Sequence, residues 1–572
     1  MILQTKEPIS IYNNWGHYDE LGDKVPLTEA LVMEELDTLE RWKKELDVSF
    51  DVFVLDCLWF EPTEGYRVFR RADWPQGPDR VFKRMRDLGM TPGLWFSTSG
   101  GRLDVPEWEA SRCDDNWAYS LADGPYADAL EDGFMFAADE LGVRYFKLDF
   151  AGLQKAAKGV ERSPQETMRL SVARLKKAIA NVRAKYPDAH FITHCGYARK
   201  NQENIIGTAM DFEVDTGWLN ALDAMFSGDP CCTDIPQTSL NRNVDLFQDR
   251  EVWKLNQAGF PLHRIEDHGA VMGPTNTAMY RGRSGFRRTH LGQLARGGRR
   301  DLLYGDPTVL TDDDVRAMQA ARILFFDAFK SGLWTRFVGP GEPGVHPWHG
   351  YLTGGGDSGL LYLVNSSLSS LRVDFPMLNL MEGRVLFHDS TKPSIQVQPE
   401  RLSVDLGPEQ CALIGLGDYA DAKWDIPAEC DVPPPMQTRL LPLAFKAIPN
   451  GFEAALEEGL VQSGEELLVI AEAIDADPAG TLKALPFRFG KQATRESDDM
   501  TPQAHEMITI RCHDDKGEIE PLRQIPDVPV WSGISWVARI FSSLSITKIS
   551  VEQNFESPKR LRLTALALKP SE

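Results

Sequence analysis

The chain has 572 residues, more than one hydrophobic core can organise, so two or three domains are expected. Hydrophobic residues make up 42% and charged residues 26%, an ordinary balance for a globular protein in water. A net charge of −22 argues against nucleic acid or an anionic membrane as partner, because binding phosphate needs a basic surface.

Residues 1 to about 335 alternate short apolar runs with amphipathic stretches. The first predicted strand is Ile9 to Trp15. Thr28 to Leu46 has helical periodicity and opens on a threonine cap. A strand follows from Phe50 to Phe60, then a helix from Pro78 to Leu88 closed by Gly89. Thr91 to Phe96 is a strand, and Ala127 to Leu141 is a helix closed by Gly142. Val143 to Phe150 is a strand, Pro164 to Tyr186 a long helix, and His190 to Cys195 a strand. Met210 to Asp215 is the next and weakest strand signal. Near-continuously apolar strands between helices imply a parallel sheet covered on both faces. A (β/α)8 barrel over residues 1–335 fits this order, with a doubly wound open sheet as the alternative. No GxGxxG follows the first strand, which counts against a dinucleotide fold.

The pattern changes after residue 335. Gly339-Pro340-Gly341-Glu342-Pro343-Gly344 reads as a break. Short strands at Gly359 to Asn365, Arg384 to Phe387 and Cys411 to Gly415 predict a β-sandwich over 336–430. Pro433-Pro434-Pro435 marks a second boundary. Residues 431–572 look mostly β, with runs at Glu466 to Ile470 and Leu561 to Leu568, and carry no functional signal.

The amino terminus lacks a basic segment followed by an apolar core, and no apolar run approaches the roughly 18 residues of a spanning helix. The eight cysteines form no CxxC pattern, and Cys231-Cys232 reads as two free thiols. A cytoplasmic protein with reduced thiols is the simplest expectation.

Chemistry concentrates in Arg144-Tyr145-Phe146-Lys147-Leu148-Asp149-Phe150. Residues two apart on a strand share a face, so Lys147 and Asp149 point the same way. In a barrel that face is the interior, and catalysis sits at the strands' C-terminal ends. A cation there holds a carboxylate ionised, as a nucleophile requires. Asp56, Asp149, Asp215 and Asp229 all fall at or just after predicted strand ends. Any one could instead cap a helix. Two of them about 5 Å apart would serve a retaining glycosidase. Trp15, Trp59 and Trp95, also near strand ends, could wall a sugar pocket. His194, His263 and His268 raise a metal-dependent hydrolase, with His194, Asp215 and His268 as its site. No His-Glu-x-x-His or Gly-x-Ser-x-Gly motif is present, so neither a metal nor a cofactor is expected. A sugar-binding barrel without hydrolase activity is a further alternative.

In this order the segments resemble the clan of retaining α-galactosidases and α-N-acetylgalactosaminidases, glycoside hydrolase families 27 and 36, closest to a divergent family 36 pattern. The resemblance rests on Tyr12-Asn13-Asn14-Trp15, on Phe53-Val54-Leu55-Asp56-Cys57-Leu58-Trp59-Phe60, and on Asp73-Trp74 with Gly89 to Phe96. It continues through Phe146-Lys147-Leu148-Asp149-Phe150, His194-Cys195-Gly196, Phe260-Pro261 to His268-Gly269, and Leu303-Tyr304-Gly305. It implies a retaining mechanism on a carbohydrate substrate, with Asp149 as nucleophile and Asp215 as acid/base. Asp229 is the second candidate for acid/base. Lys147 and Asp56 would bind sugar hydroxyls, Trp15, Trp59 and Trp95 would line the pocket, and Cys195 would sit under the sugar. His194, Asp229 and His268 complete the expected binding set, and self-association is left open. One departure is Cys57, where the family usually carries a second carboxylate gripping O4 and O6 of galactose. A thiol accepts no comparable charge-assisted bond, which points to a modified or different α-linked sugar.

Overall fold

The computed structural model describes residues 7–18, 26–116, 118–193, 216–228, 233, 235, 237, 240–272, 285–355, 357–377, 381–429, 436–473, 508–514, 516–518, 523–526, 534–540, 546–553 and 561–570. The chain forms two compact units. One comprises Met1–Asp229, Leu255–Val271 and Gly298–Arg316, and the other Pro230–Lys254, Met272–Gly297 and Ala317–Glu572.

A nine-stranded sheet runs in the order β8-β9-β1-β2-β3-β4-β5-β6-β7. Its strands are β1 (Ile9–Asn13), β2 (Val52–Leu55), β3 (Thr91–Ser97), β4 (Tyr145–Asp149), β5 (His190–Thr193), β6 (Ala224–Phe226), β7 (Ile265–Glu266), β8 (Ala270–Met272) and β9 (Arg300–Gly305). The pairs from β9 through β1 to β7 are parallel. The end strands β7 and β8 are separated in the chain only by residues 267–269, so they act as two halves of one strand position. The sheet therefore closes into an eight-position barrel, with a helix after most strands.

Local chemistry sets the elements. Helix α1 (Glu29–Glu45) starts where the Thr28 hydroxyl accepts from the Leu31 N–H at 3.2 Å, and it buries Val32, Leu36 and Leu39. Helix α2 (Asp79–Asp87) and helix α3 (Tyr126–Glu140) are followed within two residues by Gly89 and Gly142, both at positive φ. Helix α4 (Pro164–Lys185) has Ser163 as cap and proline in its first turn. Alternation divides each barrel strand. Phe146 of β4 faces outward and stacks on Phe191 of β5 at 4.5 Å. Tyr145 faces inward and donates to Glu266 Oε2 at 2.9 Å. On β3 the inward position is Gly93, where a Cβ would lie 2.9 Å from Val54 Cγ2 and 3.2 Å from Tyr145 Cβ. A side chain there would overfill the barrel floor.

The strand expected over Phe50 to Phe60 is shorter. The chain leaves the ladder after Leu55, and Leu58 takes a positive φ of 68°. Phe60–Glu61 then pairs with Gly65–Phe69 as a separate hairpin. The segment expected as a strand at Met210 to Asp215 lies outside the described residues.

The second unit holds most of helix α5 (Leu240–Gln257), helix α6 (Phe286–Ala295) and most of helix α7 (Asp312–Lys330). Its β-sandwich pairs a five-stranded antiparallel sheet, including Trp348–Gly354, Gly359–Asn365 and Cys411–Leu416, with a three-stranded sheet. Leu352, Leu361, Leu363, Val373, Leu402, Val404 and Ile414 fill the space between them. Residues 436–570 contribute two further five-stranded sheets.

Buried ion pairs tie α5 to the sandwich strands. Asp249 Oδ1 accepts from Arg296 Nε at 2.9 Å and from the Tyr351 hydroxyl at 3.0 Å, while Oδ2 lies 3.0 Å from His349 Nε2. Burial alone would raise the Asp249 carboxyl, but Arg296 and His349 outweigh it and hold it well below the usual range. Its stabilisation is therefore full above the ordinary carboxylate pKa and is lost only as pH falls through the depressed folded value. Arg296→Met strands this carboxylate and is expected to cost about 3–5 kcal/mol. A denaturant melt with an unshifted midpoint would refute that.

Candidate active site

Asp149 ends β4 and is 7% exposed. Its Oδ2 accepts from the Trp95 indole N–H at 2.9 Å, and its Oδ1 accepts from the Phe150 backbone N–H at 2.7 Å. Both bonds favour the ionised carboxylate and fix its rotamer. Phe150 itself sits at φ 45°, a left-handed conformation that a bulky side chain rarely adopts. The strained turn is anchored by Thr98 N–H donating to the Asp149 carbonyl at 2.8 Å and Ser99 N–H donating to the Phe150 carbonyl at 3.0 Å.

Lys147 lies two residues earlier on the same face and is 2% exposed. Its Nζ donates to Asp56 Oδ2 at 2.7 Å. The same oxygen accepts from Asn13 Nδ2 at 2.7 Å, and Asp56 Oδ1 accepts from the Cys57 N–H at 2.8 Å. Burial pulls the Lys147 ammonium down, but Asp56, then Asp149 and Cys57, outweigh it and leave its pKa above the ordinary lysine value. Lys147 thus lies in the field of two carboxylates, bonded to Asp56 and facing Asp149. Its Nζ also lies 5.7 Å from the Trp15 ring centroid and 5.1 Å from that of Tyr304.

Trp15 is half-buried and packs at 5.0 Å against the buried His268 ring, which also contacts Phe226 at 4.5 Å and Tyr304 at 4.9 Å. Cys57 is buried next to Asp56; the Tyr18 hydroxyl donates to the Cys57 carbonyl at 2.9 Å and lies 3.8 Å from its Sγ. The structure therefore gathers Trp15, Asp56, Cys57, Trp95, Lys147, Asp149 and His268 around one barrel mouth.

Trp59 is placed differently from the sequence expectation. Its ring is fully buried among Phe60, Tyr66, Phe69 and Phe96, and its N–H donates to the Trp95 carbonyl at 2.8 Å. It braces β3 from behind the pocket rather than walling it, because the left-handed Leu58 turns the chain away from the mouth. His194, Cys195, Asp215 and Asp229 lie outside the described residues. Among the described residues no group of three or more His, Cys, Asp or Glu is arranged to hold a metal ion. Two contributors stand in the motifs quoted from the sequence but carried no assigned role there. Asn13 shares the inward face of Trp15 on the first strand, and Tyr304 sits one residue before the end of β9.

No family model matches the sequence, and no curated protein matches it. Comparison with solved structures finds similarity to α-galactosidases. A doubly substituted form of the GH36 α-galactosidase AgaA from Geobacillus stearothermophilus, in complex with stachyose, is 13% identical with a TM-score of 0.49, covering 72% of this chain and 56% of that one. α-Galactosidase I from Mortierella vinacea is 12% identical with a TM-score of 0.47, covering 74% of this chain and 99% of that one. A putative α-galactosidase from Bacteroides fragilis NCTC 9343 is 14% identical with a TM-score of 0.45, covering 72% and 80%. Against the galactosidase domain of the α-galactosidase-sucrose kinase AgaSK, the chain spans 55% of the other's length.

Proposed function

We propose that the chain is a retaining α-glycoside hydrolase whose nucleophile is Asp149. The observation that carries this reading is the Asp149 carboxylate itself. It ends an inward-facing barrel strand, is oriented by two N–H donors, and shares a buried lysine with Asp56. An oriented carboxylate, with a buried lysine between it and the half-exposed Trp15 ring, matches the needs of sugar C1 chemistry. It attacks the anomeric carbon as the glycosidic oxygen leaves with a proton, and water later releases the sugar. Lys147 and Asp56 can donate to and accept from the hydroxyls of the bound sugar. Trp15 offers its ring face.

The acid/base is assigned here to Asp229 rather than Asp215. Strand β6 ends at Phe226, so Asp229 follows a barrel strand end by three residues. Asp215 instead immediately precedes the short 3-10 helix Thr216–Asn220, which leads into β6. Catalytic groups on this fold come from the C-terminal ends of strands. Galactoside remains the leading substrate on the motif resemblance, with Cys57 favouring a variant of it.

The test is a panel of aryl α-glycosides: galactoside, N-acetylgalactosaminide, glucoside, xyloside and L-arabinopyranoside. Cleavage of one with net retention by NMR supports the reading, and no cleavage of any α-glycoside, aryl or natural, sinks it. Asp229→Ala is expected to lose roughly 10²–10⁴-fold on substrates with poor leaving groups and to be rescued by azide, giving an α-glycosyl azide. Rescue of Asp215→Ala instead would return the role to Asp215.

A further inference from the structure

A second polar cluster lies behind the first barrel strand, on the helix side. Glu35 of α1 is fully buried, and its Oε1 lies 2.8 Å from His17 Nδ1. His17 Nε2 lies 3.6 Å from Asp306 Oδ2, just after β9. Glu35 Oε2 accepts from Asn14 Nδ2 at 3.2 Å. The other end of that amide, Asn14 Oδ1, accepts from the Asp56 backbone N–H at 3.0 Å. A continuous chain of hydrogen bonds thus runs from α1 to the residue that anchors Lys147.

A helix-face carboxylate buried away from solvent is costly to keep, since an apolar residue would pack there without that penalty. Burial pushes the Glu35 carboxyl up to about 7, with Asp306 adding to the rise, against lowering contacts from His17 and Asn14. Tyr12 also faces this carboxylate, and its hydroxyl donates to the Gly305 carbonyl at 2.7 Å. Asp56 follows the last residue of β2 and leads into the left-handed Leu58. Its N–H is therefore past the ladder, and Asn14 is what holds it.

We propose that Glu35 is a positioning residue: it fixes the Asn14 amide, and Asn14 fixes the Asp56 backbone on which Lys147 is anchored. The inference rests on reading the Asp149 pocket as the active site. Glu35 touches no reacting atom and acts only through Asn14.

The test compares Glu35→Ala and Glu35→Gln in the full chain. Glu35→Ala removes the acceptor and is expected to lower kcat by about 10–100-fold with KM little changed, the cost of a misplaced site. Glu35→Gln keeps an acceptor for Asn14 and is expected to recover at least tenfold of that loss. A Glu35→Ala variant with wild-type kcat overturns the proposal, and so does a Glu35→Gln variant no better than alanine. If Glu35→Ala does not fold, Asn14→Ala decides in its place: the same fall in kcat supports the relay, and none overturns it. If the wild type cleaves no glycoside, the enzyme reading fails separately. A crystal structure of Glu35→Gln beside Asn14→Ala then judges the relay. Loss of the Lys147–Asp56 hydrogen bond only in Asn14→Ala supports it, and an intact bond in both overturns it.

Discussion

Asp149→Asn is expected to abolish turnover, with kcat falling about 10⁴-fold or more while the protein stays folded. Asparagine keeps the shape of the side chain and one carbonyl acceptor. The Trp95 indole and the Phe150 N–H each still have a nearby atom, though one of them must face an amide N–H. What disappears is the nucleophile and the negative charge facing Lys147. In Asp149→Ala, which opens the space that asparagine fills, added azide or formate should restore part of the rate as an external nucleophile. It attacks from the face Asp149 used, so the azide product has the inverted, β configuration. An acid/base variant gives the retained product instead, because azide there intercepts the glycosyl-enzyme. Product stereochemistry by NMR separates the two roles. A variant retaining more than a few per cent of wild-type kcat would remove Asp149 from the mechanism.

Lys147→Met tests the other half of the pair and is expected to damage both stability and catalysis. Lys147 and Asp56 are each 2% exposed, so removing the cation strands a carboxylate in the barrel interior. Breaking such a pair costs about 3–5 kcal/mol, far more than a surface ion pair contributes. Asp149 loses the same counter-charge, so the rate should fall even under conditions where the variant is folded. Asp56→Leu added to Lys147→Met removes the stranded charge. The double variant is expected to regain most of the lost stability and none of the activity. Denaturant melts on the four proteins of the cycle, with kcat/KM on each, check this. If the double variant is no more stable than Lys147→Met, the pair is not the stabilising unit described here.

The first barrel strands and the Lys147–Asp149 face were legible because strand periodicity and strand ends are local properties. Phe146-Lys147-Leu148-Asp149 alternates outward and inward over its whole length, and the fold needs no other information to present it. Trp59 was not legible in the same way. Its position depends on the backbone sign at Leu58, and nothing in a leucine announces a positive φ. Strand β6 has only three residues and β7 only two, too few for a periodicity to show. Their pairing partners, distant in sequence, define them. Glu35 reads locally as one more charged residue on an amphipathic helix. Only the tertiary approach of Asn14, His17 and Asp306 turns it into a buried group. The antiparallel sandwich was visible through its short apolar runs between turn residues, as at Gly359–Asn365 and Cys411–Leu416, which are buried along their whole length.

The barrel's closing position is built from two fragments, β7 and β8, each paired on one side only among the described residues. Between them the Gly269 N–H is held by the Asp267 carboxylate at 2.8 Å instead of by a neighbouring strand. A hoop with one spliced stave opens at the splice. Amide hydrogen exchange should therefore enter the ring at residues 265–272 before it reaches β2, β3 or β4, whose ladders are continuous on both sides. His268 sits in that splice and touches Trp15. Among the described strands, the position with the least backbone restraint thus also forms a wall of the proposed pocket.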